Sequence, residues 1–177
     1  MIVVADTSPL RYLILIEHVQ VLPALYGHVI VPPAVIMELN RERTPDLVKA
    51  WLSNMPEWLH VQAPMEALTS PGTVLGAGER EAIALAAELS ADALLMDDRD
   101  ARQEAKRLGV PVLGTLRVLV DASEHGLAHL PTAFDRLRAT NFRASGERSE
   151  RSVDAPEHAR ILRGAERPVS VVLIPGA

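Results

Sequence analysis

Cysteine is absent from the 177 residues. Its absence excludes disulfides, thiolate zinc sites and cysteine nucleophiles, and it fits a reducing cytoplasm. Aromatic residues make up only 3% of the chain, so stacking of bases on aromatic platforms is a weak prospect. Lysine is scarce as well: of the 18 basic residues only Lys49 and Lys106 are lysines, and the rest are arginines. Nor is any segment apolar for long enough to span a membrane, because the longest candidate, near Leu10 to Ile16, is broken by Arg11 and Glu17. The N-terminus lacks the basic start of a signal peptide, and Asp6 comes too early for one. The expectation is a soluble cytoplasmic protein with no membrane partner.

What is present is a globular composition. Apolar residues account for 48%, enough for one domain with a substantial core. The net charge of −5 argues against a simple polyanion binder, since neutralising phosphates needs local Lys and Arg. Two features soften this. Metal-binding carboxylates make a chain look acidic until a divalent ion reverses the local charge. Arginine also suits bidentate contacts to phosphate, although a genome-wide codon bias explains the Arg excess equally well.

Short apolar runs alternate with helical patterns. Ile2 to Ala5, Val29 to Val31, His60 to Gln62, Ala93 to Met96 and Val110 to Leu113 read as strands. Ser8 as a cap and Pro9 in the first turn open a helix through about Ile16. Further helices are expected over Gln20 to Leu25, Pro33 to Glu42, Pro45 to Leu52, Gly78 to Leu89, Arg99 to Leu108, Thr115 to Glu124 and Leu130 to Ala139. Ser70 to Gly78 is a Gly/Pro/Ser/Thr loop. This alternation predicts an α/β fold, a central parallel sheet flanked by helices on both faces. Residues 146–177 read as a partly flexible C-terminal extension. It has a polar stretch over Ser145 to Ser152, a short helix over Pro156 to Arg163 and an apolar segment over Val169 to Ile174.

Sites in open parallel sheets form at the carboxyl ends of strands. Asp6 ends the first strand, and Asp97 and Asp98 end the strand Ala93 to Met96, with Asp100 close behind. A carboxylate joined directly to a buried strand needs a partner, and a cation is the simplest. Capping of the next helix is the competing role for Asp98 and Asp100. Glu38 lies in an otherwise apolar helix, where a solvent-facing position is its bland alternative. Glu79 and Glu81 open the helix after the Gly-rich loop. They stand roughly 200° apart around the helix axis, so they cannot both face one site. Together these acids offer hard oxygen ligands from four segments, a set that selects Mg²⁺ or Mn²⁺.

Five segments in order carry a family resemblance. Ala5-Asp6-Thr7-Ser8-Pro9-Leu10 looks like the opening of PIN-domain proteins. Val31-Pro32-Pro33-Ala34-Val35-Ile36-Met37-Glu38-Leu39, Gly76-Ala77-Gly78-Glu79-Arg80-Glu81-Ala82-Ile83-Ala84-Leu85-Ala86 and Leu94-Leu95-Met96-Asp97-Asp98-Arg99-Asp100-Ala101-Arg102 resemble the later acidic segments. Gly114-Thr115-Leu116 matches a prokaryotic branch related to VapC-type toxins. The resemblance covers residues 1–145. It implies a PIN-like fold and a Mg²⁺- or Mn²⁺-dependent endoribonuclease, often a homodimer and often the toxin partnered by a small antitoxin. Carried over, it makes Asp6, Glu38, Glu81 and Asp98 the catalytic metal carboxylates, with Asp97 and Asp100 as further acids. Thr7, Ser8, Glu79 and Thr115 become supporting residues. Arg99, Arg102 and Arg107 are candidates for RNA contact, against the alternative of a solvated helix face paired with Glu104.

Three rival readings compete with this one. A haloacid-dehalogenase-type phosphatase needs Asp or Thr two residues after its nucleophile, and Ser8 stands there. A Ser-His-Asp hydrolase needs a nucleophile elbow that the chain lacks. A non-catalytic PIN-fold module that binds nucleic acid is the alternative that the residues leave open.

Overall fold

The computed structural model describes residues 1–66 and 74–143. Five strands, β1 (Val3–Ala5), β2 (Val29–Val31), β3 (Leu59–Val61), β4 (Ala93–Leu95) and β5 (Val112–Leu113), form one sheet in the order β3-β2-β1-β4-β5. Every neighbouring pair is parallel. Eight helices connect and cover the strands among the described residues: α1 (Thr7–Leu15), α2 (Val21–Tyr26), α3 (Pro33–Leu39), α4 (Asp46–Ser53), α5 (Ala77–Glu88), α6 (Arg99–Arg107), α7 (Thr115–Glu124) and α8 (Leu130–Arg138). The fold is therefore α/β and PIN-like, with a central parallel sheet. The expected elements beyond Ala144 and much of the Ser70 to Gly78 loop lie outside the described residues.

Strand composition explains the layers. Val3, Val4 and Ala5 are fully buried in sequence, as are Leu94 and Leu95. Alternate side chains enter opposite faces. Val3, Ala5 and Leu95 join one core with Leu10, Leu13, Val35, Leu119 and Phe134. Val4, Leu94 and Met96 join another with Ile83 and Leu85 of α5 and Ala101 and Ala105 of α6. Burial on both faces is why these strands read as unbroken apolar runs instead of alternating ones.

Among the boundaries that differ from the sequence expectation, α3 ends at Leu39, short of Glu42, and two others differ for identifiable reasons. Helix α1 begins at Thr7, so Ser8 sits inside its first turn and is not the cap. Asp6 holds the N-cap position in extended conformation, yet its side chain makes no cap hydrogen bond. Pro9 is still within the first turn, where an amide hydrogen has no helical partner to lose. Strand β5 starts at Val112 and not Val110. Pro111 has no N–H to give a ladder, and it contributes only its carbonyl, which accepts from the Leu94 amide at 2.8 Å.

The order of strands fixes where a site can form. From the central β1 the chain adds β2 and β3 on one side, then returns to add β4 and β5 on the other. The switch point lies between β1 and β4, and the crevice outside the carboxyl ends of strands at such a point is the natural binding place of an open α/β sheet. Asp6 directly follows β1, and Asp97 and Asp98 follow β4 after one intervening residue, Met96.

Leu94→Ala and Leu95→Ala each delete a fully buried side chain, but in different cores. Each should lower the unfolding free energy by about 2–5 kcal/mol. Urea denaturation of both variants checks this, and a loss at only one position would refute the two-sided burial of β4.

Candidate functional site

The parallel register of β1 on β4 pairs Ala5 with Leu95, and the Asp6 amide donates to the Leu95 carbonyl at 2.9 Å. This places Asp6 beside the residues that leave β4. Asp6 is 2% exposed, and its Oδ1 is buried with no hydrogen-bond partner among the described residues. Burial, opposed by the Thr7 backbone amide and joined by the charges of Glu79 and Glu38, pushes its carboxyl up to about 7.

Glu38 reaches this place from α3 and is held there by three groups. Thr7 Oγ1 donates to Glu38 Oε2 at 2.7 Å, the Gly78 amide donates to Oε1 at 3.1 Å, and Arg41 lies 3.4 Å from Oε1. Gly78 is bare for a reason. A Cβ there would stand 2.7 Å from Glu38 Oε2 and 3.0 Å from Thr7 Oγ1. Any side chain at position 78 must displace the carboxylate.

Of the two glutamates opening α5, Glu79 is the one brought to Asp6. It folds back to accept the Gly76 amide at 2.6 Å, closing half of a capping box. Burial raises its carboxyl, the Gly76 amide opposes this, and Asp98 and Glu38 raise it further. Glu81 goes elsewhere: its Oε2 accepts the Ala34 amide in the first turn of α3 at 2.9 Å. The two helices thus exchange carboxylates, Glu38 of α3 satisfying an amide of α5 and Glu81 of α5 satisfying an amide of α3. The preference for Glu81 over Glu79 at the site therefore does not match where the structure puts them. Which of two residues on opposite sides of a helix meets the sheet edge depends on the packing of α3 on α5, and local spacing does not reveal it.

The acids after β4 divide by the same alternation as the strand. Asp98 continues the side of Met96, toward α5, and its Oδ1 also caps α6 by accepting the amides of Asp100 and Ala101 at 2.9 and 3.0 Å. Asp97 turns to the other side and grips α7, accepting the Thr115 amide at 2.8 Å and the Thr115 hydroxyl at 2.6 Å. Burial raises the Asp97 carboxyl, while both Thr115 bonds and the Arg102 guanidinium lower it. Asp97 and fully buried Thr115 thereby fasten α7 to the sheet edge. Asp100 is exposed in the first turn of α6.

The arginines separate likewise. Arg107 is held by Glu104 through two hydrogen bonds at 2.9 and 2.7 Å, the paired helix face weighed against RNA contact. Arg102 lies near Asp97 at Gly114, where a Cβ would meet its Nη1 at 3.0 Å. Arg99 is exposed at the start of α6. Ser8 lies in the first turn of α1, next to Thr7, which is the hydroxyl that meets a carboxylate.

Glu38 and Glu79 thus act electrostatically on Asp6, and Asp98 acts on Glu79, so that acids of four segments influence one another near the switch point. The donors fit a hard divalent ion in kind, all carboxylate oxygens, and the orphaned Asp6 Oδ1 is the atom most in need of one. Among the described residues, no three His, Asp or Glu side chains are drawn together into a formed metal site. Like charges in low dielectric oppose that closer approach.

A family model for the PIN domain matches residues 2–157. No curated protein matches the chain. Among solved structures the chain is similar to a PilT N-terminus domain protein from the hyperthermophilic archaeon Sulfolobus solfataricus P2. The two share 23% identity over 73% of this chain and 99% of that one, with a TM-score of 0.49.

The raised Asp6 carboxyl has a stability consequence of definite sign. Its folded value of about 7 lies above its ordinary 3.8, so the fold is favoured where the group is protonated and loses stability as pH rises from about 4 through 7. In EDTA, Asp6→Asn should remove that loss and gain on the order of 2–4 kcal/mol over the native chain at pH 8, with little gain at pH 4. Denaturation of both proteins across this range measures it. A variant less stable than the native chain at pH 8 would show Asp6 to be a structural partner instead.

Proposed function

The chain belongs to the PIN-domain family, usually a nuclease fold whose members typically use divalent metals, and from that premise we propose that it is a Mg²⁺- or Mn²⁺-dependent endoribonuclease. The observation that carries this reading is the buried, unpartnered Asp6 Oδ1 at the switch point, with the charges of Glu79 and Glu38 acting on it and that of Asp98 acting on Glu79.

Asp6, Glu38, Glu79 and Asp98 would hold the metal, with Glu79 in the role first given to Glu81. Bound divalent ions supply Lewis acidity toward water and the phosphoryl group. The chain's own residues prepare the place. Thr7 and the Gly78 amide fix the Glu38 carboxylate, and Arg99 and Arg102 of α6, the helix that Asp98 caps, would contact RNA phosphates. Glu81 and Asp97 act through the scaffold by satisfying the starts of α3 and α7.

Purified protein with Mn²⁺ should cut RNA to 5′-phosphate and 3′-hydroxyl ends, the products of attack by water. Sequencing of the ends tests it. Cleavage that survives EDTA, or that leaves 2′,3′-cyclic ends, would overturn the mechanism, and RNA binding without cleavage would leave the binding-module alternative. Gly78→Ala should cut turnover roughly tenfold or more by moving Glu38, as losses around a metal site do. Its stability should stay within about 1 kcal/mol of the native chain, since the displaced atoms are the end of a flexible side chain and a helical Gly→Ala change offsets part of the loss.

The toxin role follows as part of the same proposal, with a homodimer as the active species and a small antitoxin whose Arg or Lys enters the carboxylate ring. Full-length chain expressed without its genomic neighbours should arrest growth and degrade RNA, and co-expression of the neighbouring gene should relieve both. A harmless full-length chain alongside a toxic form ending near Ala144 would place the control in the chain itself.

A further inference from the structure

Far from the carboxylates in the chain, two histidines meet across the outer strands. His28 immediately precedes β2, after Gly27 ends α2 with φ 76°. His60 is the middle residue of β3, the strand at the end of the sheet order. The parallel register pairs Ile30 with His60. His28 is two residues before Ile30 and so lies on the same sheet face, diagonal to His60. Both are exposed, and His60 Nε2 stands 3.1 Å from His28 Nδ1. Neither ring has another hydrogen-bond partner among the described residues.

The ring positions say more than that a hydrogen bond is present. Their centroids are 4.9 Å apart, with the planes at 82°. A hydrogen bond aligned with both ring axes would hold the centres roughly 5.5 Å apart, taking each centre as about 1.2 Å behind its nitrogen and the nitrogens at their observed separation. The closer approach means that at least one nitrogen axis is turned off the line joining the nitrogens, and turning both toward one ion beside the pair is one arrangement that reaches it. With metal–nitrogen bonds of about 2.05 Å, nitrogens at this separation subtend roughly 100° at the ion and put the ring centres about 4.9 Å apart. That angle lies between the cis angle of square or octahedral coordination and the tetrahedral angle.

We propose that His28 Nδ1 and His60 Nε2 form a bidentate surface site for a late first-row divalent ion of the Ni²⁺, Cu²⁺ or Zn²⁺ class. Imidazole nitrogen selects these ions over Mg²⁺ and Mn²⁺, so the site is chemically separate from the carboxylate ring. No third protein donor joins them among the described residues, and water completes the coordination. The ion bridges residues 32 apart in sequence, binds the folded chain in preference to the unfolded one, and ties the edge strand β3 to β2. The inference does not depend on the nuclease reading.

The test uses the full chain stripped with EDTA, dialysed free of chelator, and titrated with Ni²⁺ in excess Mg²⁺ by calorimetry and by thermal melting. One equivalent should bind saturably and raise the melting temperature. His28→Ala and His60→Ala should each weaken binding at least about tenfold and abolish the rise, because either change removes half of the chelate. Asp6→Asn should leave the Ni²⁺ affinity unchanged. Spectra with Cu²⁺ should show coupling to two imidazole nitrogens in the native chain and fewer in either His variant. Affinity in either single His variant within twofold of native, or no saturable binding up to millimolar Ni²⁺, would overturn the proposal. Because both side chains are exposed, the variants without metal should melt with the native protein, and the comparison does not hinge on folding.

Discussion

The carboxylate of Asp6 is the constraint around which this molecule is arranged. It emerges from a strand buried on both faces, at the point where the sheet's winding reverses, and one of its oxygens meets no donor. Burying an ionised group without a partner costs several kcal/mol, and Glu38 and Glu79 nearby raise that cost. Such an arrangement persists only because the two apolar cores, each formed independently of the site, hold β1 and β4 in register. The strain is electrostatic, concentrated at one edge, and is relieved by a proton or by a cation. That is the physical sense in which the site awaits a ligand.

The carboxylates are positioned by helix ends. Glu38 satisfies an amide at the start of α5, Glu81 an amide at the start of α3, Asp98 two at the start of α6, and Asp97 one at the start of α7. Negative charge near helix N-termini is favourable through the orphan amides and the helix dipole. Each acid therefore gains from the scaffold some of what it loses by crowding at the site. Glu38 and Asp98 do both jobs. Glu81 and Asp97 serve the scaffold, and their removal should be felt as displaced helices before it is felt as lost chemistry. Gly78 shows how tight the fit is, since the reach of Glu38 to Thr7 exists only in the volume that a methyl group would fill.

Much of the fold was legible because the chain is punctuated by residues with fixed backbone consequences. Proline opens α3, precedes α4 and interrupts the approach to β5; glycine ends α2 and precedes α7. The apolar runs Val29 to Val31 and Ala93 to Met96 both enter the sheet as strands, the second ending at Leu95. That Asp6 and the Asp97–Asp98 pair leave neighbouring strands at the same sheet edge was legible too, since it follows from parallel topology alone. The choice between Glu79 and Glu81 was not. Their opposite orientations could be read from helix geometry, but the rotation of α5 against α3 is set by tertiary packing. The role of Ser8 failed on a similar point: a strand that ends at Ala5 leaves Asp6 extended, and the helix starts before the serine that looked like its cap. Arg107 was ambiguous because an i,i+3 acid offered it a local partner, and Glu104 takes it.

The acidic balance of the chain and the proposed polyanionic substrate are reconciled at the site. With the carboxylates ionised and no cation among them, the switch point repels phosphate, and the guanidiniums of Arg99 and Arg102 stand beside a net negative field. A divalent ion reverses the sign locally while the rest of the surface stays acidic. Metal and RNA would then favour each other's binding, and thermodynamic linkage makes the effect reciprocal: RNA must raise the metal affinity by the factor by which metal raises the RNA affinity. The exposed acidic surface keeps nonspecific attraction to nucleic acid low. On the proposed reading, recognition would be confined to the one edge where β1 and β4 deliver their acids and α6 carries Arg99 and Arg102.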